Sequence, residues 1–455
     1  MTSAPPRAHP APSPRFRDQI LAIGRLAVPV MFARAGLLVM AFVATAFVGQ
    51  AGATELAYFA IASAPQLMLL SLGIGLMLGT GVLTAQAKGA ERLHECGHAW
   101  RVALVIGMLF GLGSATLLGL GESLLLVLGQ PEDLARGGGR VLHMYAIGMP
   151  VAILFVATSL FLEGIGQPRV GAAIVVAGNL INILTCWLLV EGNLGLPALG
   201  AAGGALGFSA ARWFMVAAIV GYVLFTPSMR RYGVLGSGGS RAVAKRLISI
   251  GLPMAIALGL EGACFATVAG FAGQLGHVPV AAYQIASNVL SLVFMLSVGI
   301  GTATTVHTAQ AMGRGDVRSA TRSGWAGFVL VLAVTGTVGI ALTLGAPLVV
   351  GAYTGDAILV PVALGAIGIT AAMVVVDGGQ GVMISALRGF SDALSPTVVY
   401  AVAFWIVGVP VAWLAGHCLG LGLDGLLWSL WLALACATVG LAWRFRIVTR
   451  RRITA

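Results

Sequence analysis

The stretch GLPMAIALGLEGACFATVAGFAGQLG, Gly251 to Gly276, decides how the chain is read. Up to Gly273 it is apolar and long enough to cross a hydrocarbon core of about 30 Å at about 1.5 Å per residue, except that it carries one carboxylate, Glu261. Similar segments recur along the 455 residues, which are 58% hydrophobic and only 9% charged, against about 25% charge in a soluble globular protein. These proportions exclude an ordinary water-soluble enzyme. Twelve spans are predicted: Leu21 to Gly49, Leu56 to Gln86, Ala99 to Leu120, Val141 to Leu162, Val170 to Val190, Leu199 to Phe225, Leu247 to Gly273, Val280 to Gln310, Gly324 to Val350, Leu359 to Leu387, Pro396 to His417 and Leu423 to Trp443. The alternating pattern of barrel strands is absent, so the expected fold is an all-α polytopic membrane protein.

The quoted stretch also carries one half of a repeat. Shifting the sequence by 224 positions, without a gap, brings AFVGQAG (Ala46 to Gly52) onto GFAGQLG (Gly270 to Gly276). The same register pairs Pro29 with Pro253, Ala57 with Ala281, Ile61–Ser63 with Ile285–Ser287, Gly75 with Gly299, and TAQAKG (Thr84 to Gly89) with TAQAMG (Thr308 to Gly313). Shared hydrophobicity does not explain identities in Gly, Gln and Pro. The chain is therefore read as two six-helix lobes. Because each repeat contains an even number of spans, the lobes are expected to be parallel repeats about an axis along the membrane normal, as in secondary transporters with a substrate site between the halves. The expected divisions are a disordered tail (1–20), an N-terminal lobe (21–225), a flexible Gly/Ser-rich basic linker (226–246), a C-terminal lobe (247–443) and a basic tail (444–455).

The net charge of +11 follows from topology and does not call for a polyanion partner. With the N-terminus in the cytoplasm, Arg136 and Arg140 fall on the outer side and Arg34 and Arg212 within spans, leaving 22 of the 26 Lys and Arg on the cytoplasmic side. The positive-inside rule thus predicts both termini in the cytoplasm of a multi-pass inner-membrane protein, with no nucleic-acid partner. The opening MTSAPPRAHPAPSPRFRD has no apolar core and does not read as a signal peptide. The five cysteines imply no disulfide framework.

Leaving aside histidines near span ends such as His143 and His307, four ionisable residues stand at membrane depth: Arg34, Arg212, Glu261 and Asp377. Such residues are costly to bury and are functional candidates by default. Burial favours the neutral form of a carboxylate, and a second carboxylate nearby adds to the effect. Glu261 and Asp377 are therefore candidates to carry a proton between the two solvents or, with neutral oxygens around them, to hold Na+. Polar companions sit at helical spacing: Gln284 and Asn288, with Ser287 and Ser291 beside them, and Asp377 with Gln380, so these groups can converge on one pocket. Tyr283 neighbours Gln284 in sequence but points about 100° away. In the first lobe Asn179, Asn182 and Thr185 form a polar stripe. For all these neutral residues, hydrogen bonding between helices accounts for the pattern as well as ligand contact does. Arg34 and Arg212 lie far from their helix ends and are expected to face a water-filled cavity.

LAVPV, FVGQAG, a GLP followed eight residues beyond its proline by Glu261, LGHVPVAAYQIA, and VVVDGGQGVMISALRGFSDA around Asp377 together resemble the multidrug and toxic compound extrusion (MATE) family, in particular its NorM-like branch. The resemblance covers nearly all twelve spans. It implies a two-lobed, V-shaped antiporter that exports organic, often cationic compounds by alternating access in exchange for Na+ or H+. It also implies that Glu261 and Asp377 are the coupling-ion ligands. One departure stands out. Many bacterial members carry a span-one aspartate in V-D-T-x-x-x-G, whereas this chain reads VATAFVG from Val43 to Gly49, with Ala44 in the aspartate's place. Together with Arg34 and Arg212, this makes anionic or zwitterionic substrates a live hypothesis.

Other readings are weaker. His94-Glu95-Cys96-Gly97-His98 matches the H-E-x-x-H pattern of metalloproteases, but it falls in a loop with no evident third ligand and opposite an ordinary basic segment of the repeat. A flippase for a lipid-linked or anionic substrate of the same superfamily is the alternative. A pure channel would need a selectivity filter, and nothing resembles one. No GKS or GKT phosphate loop is present, so ATP is not the expected fuel. An ion gradient suffices: about 2.3 kcal/mol per charge at about 100 mV sustains roughly fiftyfold accumulation. The expected protein is a functional monomer and not an enzyme. It would act on small organic substrates among membrane lipids, and need no cofactor beyond Na+ or H+ and no metal beyond Na+ at Glu261 and Asp377.

Overall fold

The computed structural model describes residues 16–236 and 240–454. Twelve of its helices are long and apolar enough to cross a membrane: Phe16–Gln50, Ala53–Gly89, Leu93–Gly119, Glu132–Gly164, Pro168–Val190 and Gly200–Phe225 in the first lobe, and Arg241–Gln274, His277–Gly313, Val317–Leu344, Leu359–Gly389, Leu394–Cys418 and Gly422–Thr454 in the second. These are spans one to twelve. One apolar cluster lies within the second lobe and one within the first, and two more cross between the lobes, where Leu247 and Met254 join first-lobe residues and Ile23 and Ala27 join Ile300. The protein is thus an all-helical, multi-pass membrane protein of two six-helix lobes.

Several helices run beyond the ends that hydropathy marks. Span one begins at Phe16, inside the expected tail, and Gln19 is buried and donates to Ser319 Oγ at 3.3 Å. Residues 1–15 of that tail lie outside the described residues. Span twelve continues as helix to Thr454 and not as a loose tail after Trp443. Phe445 packs its ring on Phe390 at 5.5 Å, and Arg444 pairs with Asp392 at 2.9 Å. The expected flexible linker is also tied down where it is described. Pro227–Tyr232 forms a short turn that buries Met229 and Tyr232, Arg101 donates to the Gly233 carbonyl, and Ser240 caps span seven by accepting from the Ala242 amide at 3.2 Å. Residues 237–239 lie outside the described residues. The basic composition hid three apolar anchors, Met229, Tyr232 and Val234, which pack into the first lobe.

The repeat is visible as paired contacts between the lobes. Span two meets span seven where Gly75 lies against Ala255, and span one meets span eight where Gly299 lies against Met31. The 224-residue register converts one contact into the other. Closer to the end that carries both chain termini, Gly89 lies against the Gln310 carbonyl and Gly313 against the Gln86 carbonyl, again a related pair. Gln86 Nε2 donates to Gly389 O and Gln310 Nε2 donates to Gly164 O, each at 3.1 Å. Glycine is needed at these four positions because a Cβ would strike the facing backbone or side chain. Two parallel lobes related by a two-fold axis account for all of these pairs.

At the opposite end the same helix faces part. On span eight the face that holds Gly299 continues through Ser291, Asn288 and Gln284, all exposed. On span two the face that holds Gly75 continues through Met68, Leu67, Ala64 and Ala60, also exposed. The lobes therefore close at the end with the termini and leave a cleft at the other, with spans two and eight as its facing walls.

Farther along each lobe the register slips slightly. Gly164 lies against Thr84 and Gly389 against Thr308, which sets span four on span ten with a shift of 225. Leu199-Gly200 matches Leu421-Gly422, with φ of 53° and 57° at the two glycines, which sets span six on span twelve with a shift of 222.

Candidate functional site

Glu261 lies near the middle of span seven and is partly exposed. Its Oε1 accepts a hydrogen bond from Gln380 Nε2, on span ten, at 2.5 Å. Asp377, one helical turn from Gln380 on the same face, is 4% exposed and lies within electrostatic reach of Glu261. Gln380 Oε1 is buried without a hydrogen-bond partner. Tyr400 of span eleven is buried within electrostatic reach of both carboxylates. Span eleven is fastened to span seven around this site: Trp405 Nε1 donates to Leu260 O at 3.1 Å and Cys264 Sγ to Phe404 O at 3.7 Å. From Ala401 the helix widens into π-type turns, a distortion frequent at functional sites. The result is a site in the second lobe with two carboxylates, an amide carbonyl in want of a donor or cation, and a phenol. It can take up a cation or a proton, because a positive charge here relieves the repulsion between the two acids.

The other expected residues divide. Tyr283 donates to the Phe265 carbonyl at 2.9 Å, one turn beyond Glu261 on span seven, and borders a gap too narrow for water with Ser287, Thr370, Met373, Leu427 and Leu430. Gln284 and Asn288 do not join Glu261. They are exposed on the cleft wall, with Gln284 Nε2 donating to Asn288 Oδ1 at 3.4 Å. In the first lobe Asn179 Nδ2 donates to Gly36 O at 3.0 Å and Asn182 Nδ2 to Met40 O at 3.1 Å, so both amides join span five to span one. Arg212 is buried on span six with its guanidinium over the Phe208 ring at 4.8 Å.

Arg34 is partly buried and paired. It makes a 3.2 Å ion pair with Glu163, which is 3% exposed and also accepts from Ser159 Oγ at 3.2 Å. Arg388 of the second lobe lies within electrostatic reach of this pair and donates to Thr305 Oγ1 at 3.0 Å and Ser385 Oγ at 3.1 Å. Sequence reasoning missed Glu163, Arg388 and Tyr400. The first two fall just past the predicted ends of spans four and ten. The repeat carried the signal, since Glu163-Gly164-Ile165 aligns with Arg388-Gly389-Phe390 and puts opposite charges at equivalent positions.

The H-E-x-x-H segment is used structurally. His98 Nε2 accepts from the Ser240 amide at 3.0 Å, and among the described residues no three His, Cys, Asp or Glu gather as a metal site.

Twelve spans in two symmetry-related lobes, joined at one end and with a pair of neighbouring carboxylates, Glu261 and Asp377, inside the second, define a membrane transporter and not an enzyme. The MatE family model matches residues 29–188 and again 253–414, so the second match begins 224 residues after the first. The chain belongs to this family of multidrug efflux transporters. It is 32% identical to a probable multidrug resistance protein NorM of Caulobacter vibrioides over 94% of this chain and 91% of that one. To the multidrug resistance protein NorM of Burkholderia vietnamiensis it is 30% identical over 98% and 97%. Its fold is that of a solved multidrug resistance MATE family transporter in an outward-facing conformation, with a TM-score of 0.88 at 20% identity over 96% of this chain and 97% of that one.

Proposed function

We propose that this protein exports small organic compounds across the bacterial inner membrane in exchange for Na+ or H+, with Glu261 and Asp377 holding the coupling ion. The observation that carries this reading is the cluster of Glu261, Gln380 and Asp377: two carboxylates and an amide whose 2.5 Å hydrogen bond ties span seven to span ten. Relatives named as multidrug resistance proteins support organic compounds as the cargo. The excess of Lys and Arg on the side of the termini supports a cytoplasmic location for both ends, which makes the cleft outward-facing.

In that state a cation arriving from outside neutralises the second-lobe pair and removes the cost of holding two like charges close together. Neutralisation changes which packing of spans seven, ten and eleven is favoured, while substrate leaves from the cleft. The opposite state requires the cross-lobe hydrogen bonds of Gln86 and Gln310 to break, because they hold the cytoplasmic end shut. A cation moving down its gradient drives the cycle, at about 2.3 kcal/mol per charge for about 100 mV.

Proteoliposomes loaded with a fluorescent organic dye and given an imposed H+ or Na+ gradient test this. Export driven by one gradient and lost in Asp377→Asn is expected, and it names the ion. A wild type that ignores both gradients would overturn the antiport reading.

A further inference from the structure

The first lobe buries a guanidinium that has no carboxylate. Arg212 is 4% exposed, forms no ion pair among the described residues, and its Nη1 has no hydrogen-bond partner. The lobe's deep carboxylate, Glu163, is occupied by Arg34 at 3.2 Å. A second donor is orphaned in the same lobe. Gln66 of span two is 6% exposed with Nε2 unpartnered, and it lies one turn from Ser63, which interacts with Tyr145 of span four. Tyr145 is in turn within electrostatic reach of Arg212, and its ring meets Phe208 at 6.1 Å.

The repeat groups these residues. Phe59, Ser63, Gln66, Tyr145 and Phe208 are the first-lobe equivalents of Tyr283, Ser287, Leu290, Thr370 and Leu430, which cluster around one narrow gap in the second lobe. Arg212 has Leu434 as its equivalent, so the same helix packs in the other lobe with an apolar side chain. The charge is thus not required by the packing. A buried cation without an anion is costly, and a guanidinium fork, with the phenol of Tyr145 meeting the same Phe208 ring, matches a planar carboxylate.

We propose that Arg212, with Gln66 and Tyr145, forms an anion-accepting site in the first lobe that takes the carboxylate of zwitterionic or anionic amphiphilic substrates. This rests on the export reading and names its substrate class. Charge is divided between the lobes: the coupling cation binds in the second, and the substrate's anionic group binds in the first.

The test uses the full chain in nanodiscs of neutral lipid and two rhodamine dyes that differ only as free carboxylate and methyl ester. Fluorescence anisotropy is expected to give a preference for the acid of about tenfold in the wild type. Arg212→Leu, the residue found at the equivalent second-lobe position, is expected to bring the ratio to about one. Arg212→Lys, which keeps the charge but loses the fork, is expected to give an intermediate ratio and guards against misfolding of the Leu variant. A wild type that binds the ester as tightly as the acid, or a Leu variant that keeps the preference, overturns the site. A phospholipid headgroup offers the same anionic oxygens. If phosphatidylglycerol displaces the acid dye from wild type and Arg212→Lys, the site holds with a lipid as occupant, and the absence of displacement assigns it to the soluble carboxylate. Export of the ester under a gradient, with no preference for the acid, removes this inference alone, whereas export of neither dye removes the export reading as well.

Discussion

The two lobes share a backbone plan and differ in chemistry at equivalent points. In the second lobe Glu261, Asp377 and Gln380 occupy the positions that Leu37, Ala152 and Phe155 hold in the first. Arg212 in the first lobe stands where the second has Leu434. The cleft walls differ in the same way: Gln284, Asn288 and Ser291 on span eight correspond to Ala60, Ala64 and Leu67 on span two. The glycine contacts that hold the lobes together are instead repeated in both, at Gly75 and Gly299 and at Gly89 and Gly313. Close helix packing in a membrane relies on small residues and leaves side chains elsewhere free to diverge. Symmetry thus preserves the hinge-like joint, and asymmetry supplies the sites.

The largest effect tests the joint at its buried charges. Arg34→Met leaves Glu163 buried without its partner and is expected to destabilise the protein by about 3–5 kcal/mol, read as a lower melting temperature in detergent. Adding Glu163→Leu should recover most of that loss, and failure to recover would mean that the pair does more than satisfy itself. Next come the two glutamines at the cytoplasmic end. Gln86 also donates to Ser391 Oγ at 3.0 Å and accepts from Arg246 at 2.6 Å, contacts that Gln310 does not match. Gln310→Leu should cost the closed end about 1 kcal/mol, roughly a fivefold population shift, and Gln86→Leu more. Spin-label distances across that end measure both, and an effect at one glutamine only would break the two-fold account. The smallest effect is expected at the cleft wall. Asn288→Ala, which installs the residue of the first lobe, should change dye affinity by no more than about fivefold and stability by less than about 0.5 kcal/mol.

The spans and the repeat were legible because hydropathy and the spacing of Gly, Pro and Gln record them directly. Glu261 and Asp377 stood out because a charge inside a long apolar run has few structural excuses. Glu163 and Arg388 did not, since hydropathy ends a span at the first charge while the helix continues wherever protein, and not lipid, covers it. The same reasoning explains the helical stretch after Trp443, where Phe445 packs on Phe390. Gln284 and Asn288 share a face, as their spacing indicates. Periodicity alone does not say which neighbour a face meets, and only the contact at Gly299 directs it to the cleft.

Cation release on substrate binding tests the division between the lobes most directly. Dye added to the protein in nanodiscs, with a pH indicator or a Na+ electrode reporting, should displace the coupling ion from the wild type and none from Glu261→Gln. Undiminished release from Glu261→Gln would place the cation site outside the second-lobe cluster and contradict the account.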